Sequence, residues 1–328
     1  MRAIFTFLLV AVLAAAAWLA YGLLLPIGPR GQEKFVLLRP GSSARHIAYE
    51  LKSAGVIRSA PAFLAWHSWR GRPALKAGEY KFDHPADARE VYHRIVAGDI
   101  YVHTVVIPEG YNIFDIGNAL EVAGLGSRDD FLGVVRSDVS LISDLDPQAP
   151  SLEGYLFPDT YEFTRTQNLH DIAAAMVKRF RQESRQLGLT SDFHRVVTMA
   201  SIVEKETAVP AERPLVASVF YNRLHRNIIL ATDPSVIYAA LLAGRYNGVI
   251  HQSDLQFDSL YNTYKHAGLP PGPICNPGRD ALQAVMQPAN SDFLYFVSDN
   301  NGHHRFARTM QEHSRNVAAY RRAVADSR

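Results

Sequence analysis

Two glutamates separated by one residue, Glu204 and Glu206, end an apolar segment that closes with SIVEKET. Side chains two positions apart on a helix are separated by about 200° around its axis, so the two carboxylates cannot share a face. Met199, Ile202 and Val203 form an apolar stripe. Glu206 falls within this stripe and Glu204 at its edge. The pattern therefore predicts that the helix buries the Glu206 side chain.

A carboxyl group on an apolar helix face is costly to ionise, so its pKa should rise above the usual glutamate value of about 4.3. Such a group donates a proton near neutral pH and can accept one later, which is what cleavage of a glycosidic bond requires. A frayed helix end with both glutamates in solvent would show the same local pattern.

Aromatic residues are frequent in the loop-rich segments on both sides of this helix. Their faces suit sugar rings, and they are equally common as core residues. The segments contain Tyr155, Phe157, Tyr161, Tyr221, Tyr238, Tyr261 and Tyr264.

Several other kinds of catalytic site have no matching motif in the 328 residues. H-E-x-x-H, S-x-x-K, G-x-S-x-G and the phosphate-binding G-x-x-x-x-G-K are all absent from the sequence. We therefore expect no metal site, no cofactor and no acyl-transfer nucleophile. The net charge of +2 gives no indication of nucleic-acid binding, and a single cysteine, Cys275, excludes an internal disulfide.

The elements around SIVEKET are predicted to be mainly helical. Amphipathic spacing and helix-start signals predict helices at Leu169 to Leu187, Pro214 to Leu224, Thr232 to Gly244 and from Asp280. A hairpin around Asp299 to Gly302 and a charged C-terminal helix follow. The expected fold class is α+β, with a mainly helical catalytic domain and a small sheet.

Two segments of the first third resemble each other, one starting at Val36 and the other at Thr104, with Gly41 matching Gly110. Each is predicted to form a strand, a turn and two helices. A partner strand, GEYKF at Gly78 to Phe82, is predicted after the first copy. This βααβ order resembles a LysM module, a type that binds N-acetylglucosamine polymers. A plain packing unit without a ligand is the alternative.

The N-terminus is predicted to be a membrane anchor. Ala3 to Ile27 has no charged residue, and about 20 apolar residues span a bilayer. The apolar run continues past a small-residue stretch, which favours an uncleaved anchor over a signal peptide. Trp18 and Tyr21 would lie near the far interface. We expect a short tail inside the cell and the rest of the chain in the bacterial periplasm.

Four longer motifs resemble the YceG-like family of endolytic murein transglycosylases. They are EGYLFPDTY at Glu153, ASIVEKETAVPAERPLVASVFYNRL at Ala200, TDPSVIYA at Thr232, and YNTYKHAGLPPGPICNPG at Tyr261. They occur in the family's order, and the resemblance covers nearly the whole chain.

The resemblance implies cleavage of peptidoglycan glycan strands without water. One glutamate, which matches Glu206, protonates the bond between N-acetylmuramic acid and N-acetylglucosamine. The C6 hydroxyl of the muramic acid then closes on C1 and leaves a 1,6-anhydro end. The substrate's N-acetyl group can stabilise the cation, so no second carboxylate is required, in contrast to the usual glycosidase scheme.

The resemblance also implies further substrate-binding candidates, with Glu204 as a supporting residue held by Arg213 or Arg223. Loop architecture is the alternative role for each. The candidates are Glu153, Asp159, Glu204, Asn222, Asp233, Tyr238, Tyr261, Asn262, Tyr264 and Asn276.

The expected organisation is a cytoplasmic tip and anchor at 1–29, a LysM-like subdomain at 30–100 and a catalytic domain at 101–328, with the second repeat copy near 104–135. The expected partners are glycan strands, the inner membrane through residues 3–27 and the synthases that polymerise peptidoglycan. Two other functions remain open. One is a hydrolytic muramidase that uses the same site, and the other is a non-catalytic peptidoglycan-binding scaffold.

Overall fold

The computed structural model describes residues 2–326, which divide into two compact units. The first unit contains the chain up to Thr104 together with Glu162–Asn168, and the second contains Val105–Tyr161 and the chain from Leu169 onward. The chain contains both helices and strands. The first unit is thus not continuous in sequence, because it includes the later segment 162–168.

The first unit contains a strand–helix–helix–strand sequence after its N-terminal helix. Its elements are α1 (Arg2–Leu24), β1 (Lys34–Leu38), α2 (Ala44–Ser53), α3 (Ala60–Trp69), β2 (Gly78–Phe82) and α4 (Ala88–Ala97). β1 and β2 pair antiparallel, with Val36 opposite Tyr80. Alternate strand residues and the inner faces of α2, α3 and α4 form one apolar core. The order predicted for the first repeat copy is confirmed.

Helix α1 is 23 residues long and apolar, which is sufficient in length and composition to cross a membrane. Its side chains are exposed along most of its length. The exception is the last turn, where Gly22 is buried and Leu23 packs against the core of the first unit. The last turn of α1 is thus packed against the rest of the first unit.

The second unit is mainly helical. A unit boundary falls within β3 (His103–Val106) and another within β4 (Thr160–Phe163). The other elements of the second unit are α5 (Ile113–Val122), α6 (Arg128–Ser137), α7 (Leu169–Leu187), α8 (Phe193–Glu206), α9 (Arg213–His225), α10 (Asp233–Leu242), α11 (Arg279–Met286), β5 (Tyr295–Ser298), β6 (His304–Ala307) and α12 (Met310–Asp326). β3 pairs with β4, and β5 and β6 form the predicted hairpin, with Tyr295 opposite Ala307. α7 has the predicted bounds.

Helix α8 is the centre of the second unit, because α9, α10 and α11 all pack against it. Every residue from Val197 to Val203 is buried, including Thr198 and Ser201. The prediction of one apolar stripe was therefore wrong, since this part of the helix is enclosed on all sides. Ser201 Oγ donates to the Thr198 carbonyl at 2.7 Å, whereas the buried Thr198 hydroxyl has no hydrogen-bond partner among the described residues.

Helix α10 begins at Asp233, one residue after the predicted start at Thr232, and it has no side-chain cap. Thr232 occupies the N-cap position, yet its hydroxyl accepts no hydrogen bond from the helix backbone. Its backbone N–H donates instead to Thr263 Oγ1 at 2.9 Å. This bond connects the start of α10 to the loop that carries Tyr264.

Gly154 fixes the loop beside α8. Its φ of +87° is unfavourable for other residues, and a Cβ there would lie 2.5 Å from Pro273 Cγ and 2.8 Å from Val197 Cγ1. We expect Gly154→Ala to destabilise the protein by about 2 to 4 kcal/mol, because backbone strain and overpacking add. Thermal unfolding followed by circular dichroism checks this.

Gly133 provides the matched control. It lies in α6 at an exposed position, and a Cβ there would meet nothing within 4 Å. Gly133→Ala should leave the melting temperature unchanged or raise it slightly, because alanine favours a helix by up to about 1 kcal/mol. Equal melting temperatures for Gly154→Ala and the parent would contradict the tight packing described here.

Candidate active site

Glu206 is the last residue of α8, and its side chain lines a cavity of about 380 Å³. The cavity is built by the C-terminal end of α8, α9, the start of α10, the hairpin strand β5 and the start of α12. Its lining residues are Glu206, Phe220, Arg223, Leu230, Ala231, Thr232, Asp233, Tyr264, Tyr295, Phe296, Met310 and His313.

Burial and neighbouring charge keep a proton on Glu206. Burial is the larger cause and the like charge of Asp233 the next, and together they raise the pKa of Glu206 to about 7, against a smaller opposing effect of Arg223. The position at the carboxyl end of α8 acts in the same direction, because the helix dipole is negative there. Within residues 2–326, no group makes a hydrogen bond to this carboxyl. It is therefore free to bind a ligand.

Asp233 and Tyr264 form a hydrogen-bonded pair that also lines the cavity. The Tyr264 hydroxyl donates to Asp233 Oδ1 at 2.6 Å, and burial raises the pKa of Tyr264. Asp233 opens α10, where the helix dipole favours a negative charge. The pair thus places a fixed carboxylate in the same cavity as the protonated Glu206.

Arg223 supplies the cation of the cavity. Its Nε donates to the Leu294 carbonyl at 2.7 Å and its Nη1 to the Leu230 carbonyl at 2.6 Å. The guanidinium also lies 5.3 Å from the centroid of the Tyr295 ring, and that ring stacks on His313. Burial lowers the pKa values of both Arg223 and His313. The wall therefore combines a fixed cation with two ring faces.

Glu204 points away from the cavity and is held by two donors. Arg213 Nη2 donates to Glu204 Oε1 at 2.7 Å, and the Gly278 N–H donates to Oε2 at 3.0 Å. Burial raises the pKa of Glu204, and these two groups oppose the shift. Glu204 thus has hydrogen-bond partners within the described part of the chain, whereas Glu206 has none there and lines the cavity. Of the two arginines predicted to hold Glu204, the structure selects Arg213.

Glu153 is the centre of a separate buried network. Its carboxyl accepts from the Ile113 N–H at 3.0 Å and from Asn276 Nδ2 at 2.9 Å, and the Tyr238 hydroxyl also bonds to it. Burial raises the pKa of Glu153 to about 8. Asn276 Oδ1 in turn accepts from the Leu156 N–H. These predicted site residues lie in the interior and join distant segments.

The remaining predicted site residues also lie outside the lining of the Glu206 cavity. Asp159 pairs with Arg179, and Asn222 donates to the carbonyls of Ser291 and Phe293. Tyr261 packs on Tyr238, and Asn262 donates to two loop carbonyls, those of Leu255 and Phe257.

Of the predicted site residues, Glu206, Asp233 and Tyr264 meet in one cavity. The sequence-based set lacked Tyr295 and His313, which come from the C-terminal hairpin and helix, and it assigned Arg223 only to Glu204. Arg223 lay within a quoted motif and could have been found there. Across residues 2–326, no three His, Cys, Asp or Glu side chains come close enough to hold a metal ion.

The raised pKa of Glu206 predicts a pH-dependent stability. In the unfolded chain this group ionises near pH 4.5, but in the folded protein it keeps its proton up to about pH 7. Unfolding therefore releases a proton in that window. We expect the free energy of unfolding of the parent to fall, relative to Glu206→Gln, as the pH rises from about 4.5 through about 7. Urea unfolding at several pH values measures the difference.

Glu162 gives a matched control, because its side chain is exposed on β4. Glu162→Gln should keep the pH dependence of the parent. A difference between parent and Glu206→Gln that stays constant across this window would show that Glu206 titrates as an ordinary glutamate.

Comparison with known proteins identifies the family of this chain. A family model described as the YceG-like family matches residues 36–319. A Bacillus subtilis (strain 168) protein named endolytic murein transglycosylase is 33% identical over 303 residues, covering 85% of this chain and 82% of that protein. A Streptococcus pneumoniae (serotype 2, strain D39) protein of the same name is 30% identical over 351 residues, covering 94% of this chain and 63% of that protein.

A solved structure gives the same result. The crystal structure of a YceG-like protein from Listeria monocytogenes is 32% identical, has a TM-score of 0.56, and covers 87% of this chain and 99% of that one. The chain belongs to the YceG-like family.

Proposed function

We propose that this protein is an endolytic lytic transglycosylase that cleaves peptidoglycan glycan strands between N-acetylmuramic acid and N-acetylglucosamine. The observation that carries the proposal is the carboxyl of Glu206, protonated near neutral pH and unbonded at the wall of a cavity. The name of the Bacillus subtilis relative, endolytic murein transglycosylase, supports the same reaction.

In this reaction Glu206 serves first as acid and then as base. Its carboxyl proton passes to the glycosidic oxygen as the bond to C1 of the muramic acid breaks, and N-acetylglucosamine leaves with a free hydroxyl. The muramic acid's C6 hydroxyl then bonds to C1 and gives its proton to the Glu206 carboxylate. Atoms and charge balance, the enzyme returns to its starting state, and no water is consumed.

Asp233 has an electrostatic role in this scheme. Positive charge develops at C1 as the glycosidic bond breaks, and a carboxylate held by Tyr264 in the same cavity stabilises it. The same carboxylate supports a second candidate, a hydrolytic muramidase, because paired carboxylates are the usual arrangement for activating water. Mass spectrometry separates the two, since transglycosylation leaves 1,6-anhydro ends and hydrolysis leaves reducing ends.

The rest of the chain would bring this site to its substrate. We assign residues 1–29 to a cytoplasmic tip and inner-membrane anchor, 30–100 to a LysM-like subdomain and 101–328 to the catalytic domain, placed in the periplasm. The length of α1 and the observed β1–α2–α3–β2 order support this organisation. Such an anchored enzyme would act on new strands beside the synthases that polymerise them.

We expect Glu206→Gln to lower the release of muropeptides from purified peptidoglycan by about a hundredfold or more, because an amide cannot transfer the proton. Chromatography and mass spectrometry of the products measure this effect. Glu162→Gln, at the exposed position on β4, should release products at the rate of the parent. Equal release by parent and Glu206→Gln, or none by either, would leave a glycan-binding scaffold as the function.

The acid role also fixes the direction of the pH dependence of activity. The reaction needs Glu206 protonated in the free enzyme, and its pKa is about 7. We therefore expect kcat/KM to fall as the pH rises through about 7. In Asp233→Asn the removal of a like charge lowers the pKa of Glu206, so the fall should begin at lower pH. A profile that stays flat between pH 5 and about 9 would contradict the assignment of Glu206 as the acid.

A further inference from the structure

We propose that the first unit rests directly on an anionic lipid surface through one face of α3, where Trp66 and Trp69 enter the headgroup region. The proposal rests on α1 being the membrane span described above. It adds a second membrane contact, separate from the span, which fixes the orientation of the first unit on the bilayer.

The junction between α1 and the first unit is a packed contact. A Cβ on Gly22 would lie 2.8 Å from Ala62 Cβ and 2.9 Å from Ser59 Cβ, so the backbone of α1 touches the start of α3. Ile27 then pairs with Ala86 through two backbone hydrogen bonds of 3.0 and 3.2 Å. Few freely rotating residues separate the span from the unit.

Arg58 makes hydrogen bonds across this junction. Its Nε donates to the Leu25 carbonyl at 3.1 Å and its Nη2 to the Pro26 carbonyl at 3.0 Å, just past the end of α1. Its guanidinium also lies 5.3 Å from the centroid of the Tyr21 ring. A cation at the carbonyl end of a helix is favourable, and an Arg–Tyr pair suits the membrane interface.

The length of α1 sets the height of the contact. From Arg2 to Gly22 a helix rises about 30 Å, which is the thickness of the hydrocarbon layer. Gly22 therefore lies at the bilayer surface, and so does the start of α3 that packs on it. Because α3 contains His67 and Ser68 and is followed at once by Arg70, it cannot enter the hydrocarbon and must run outside it.

The face of α3 that touches α1 continues into a tryptophan pair. Ser59, Ala62, Trp66 and Trp69 fall within about 80° of one another around the helix. The two indole rings lie 4.9 Å apart, with Trp66 half-buried against the core of the first unit and Trp69 72% exposed. Tryptophan is enriched at membrane interfaces, where its ring lies among the headgroups. The pair thus extends the surface that α1 already brings to the bilayer.

The charge beside the tryptophans suits anionic headgroups. Arg70 lies 6.0 Å from the Trp66 ring, Arg72 follows it, and neither has an acidic partner within 4 Å among the described residues. The nearby acids are already paired, Asp87 with Arg89 and Glu90 with His84. The unpaired charge on this side is therefore basic, which favours a lipid surface over a neutral glycan.

The distribution of tryptophan makes the proposal directly measurable. The chain has three tryptophans, at positions 18, 66 and 69, so Trp18→Phe leaves only the α3 pair. The full-length protein is reconstituted in liposomes that contain anionic lipid, with or without bromine atoms near the headgroup end of the acyl chains. We expect the brominated lipid to lower the emission of Trp18→Phe by roughly half. Adding Arg70→Glu and Arg72→Glu to this variant should reduce that quenching.

A second variant reports on the anchor alone. The double variant Trp66→Phe/Trp69→Phe keeps only Trp18, which lies in α1. If brominated lipid quenches Trp18 but not the α3 pair, α1 spans the bilayer and the proposed surface contact is wrong. If it quenches neither, the anchor assignment and this proposal both fail. A response of the α3 pair to an N-acetylglucosamine oligomer, with no response to lipid, would assign the face to glycan and overturn the proposal.

Discussion

Enclosure of the carboxyl end of α8 is the constraint on which the second unit depends. Three helices pack against α8, so its last turn places two carboxylates where contact with solvent is restricted. Both would be unstable as bare charges. The two carboxyl groups differ in their hydrogen-bond partners. Glu204 receives an arginine and a backbone N–H, whereas Glu206 receives neither and retains its proton. A hydrogen-bonded carboxyl group and an unbonded, protonated one thus arise two residues apart.

Hydrogen-bonded polar groups hold the segments around this helix end. The Gly/Pro-rich segment before α11 has the composition of a binding loop, yet its polar groups face inward. Asn276 bonds to Glu153 and to the backbone of Tyr111, and Gly278 bonds to Glu204. Buried polar groups normally find such partners, and a network in which each member is satisfied fixes one arrangement. Through Gly278 the loop therefore holds the end of α8 at Glu204, which does not line the cavity.

The sequence predicted local features well and long-range ones poorly. The bounds of α7 and β2, the start of α10 beside Pro234 and the β5–β6 hairpin follow from periodicity, proline and turn residues, which act over a few positions. The single apolar stripe on α8 was wrong because a helix enclosed on all sides also buries Thr198 and Ser201. Glu206 was nevertheless selected by that stripe, and the structure shows that hydrogen bonding, which no local pattern reveals, is what separates it from Glu204. Tyr295 and His313 could not be found for the same reason, because they reach the cavity from the far end of the chain.

The attachment of Arg223 has a consequence for the width of the cavity. Its guanidinium joins the backbone of Leu230, ahead of α10, to that of Leu294, ahead of β5, so one side chain of α9 bridges two walls. Moving these walls apart would break at least one of the two hydrogen bonds. The spacing of two backbone segments is thus coupled to the position of a single guanidinium.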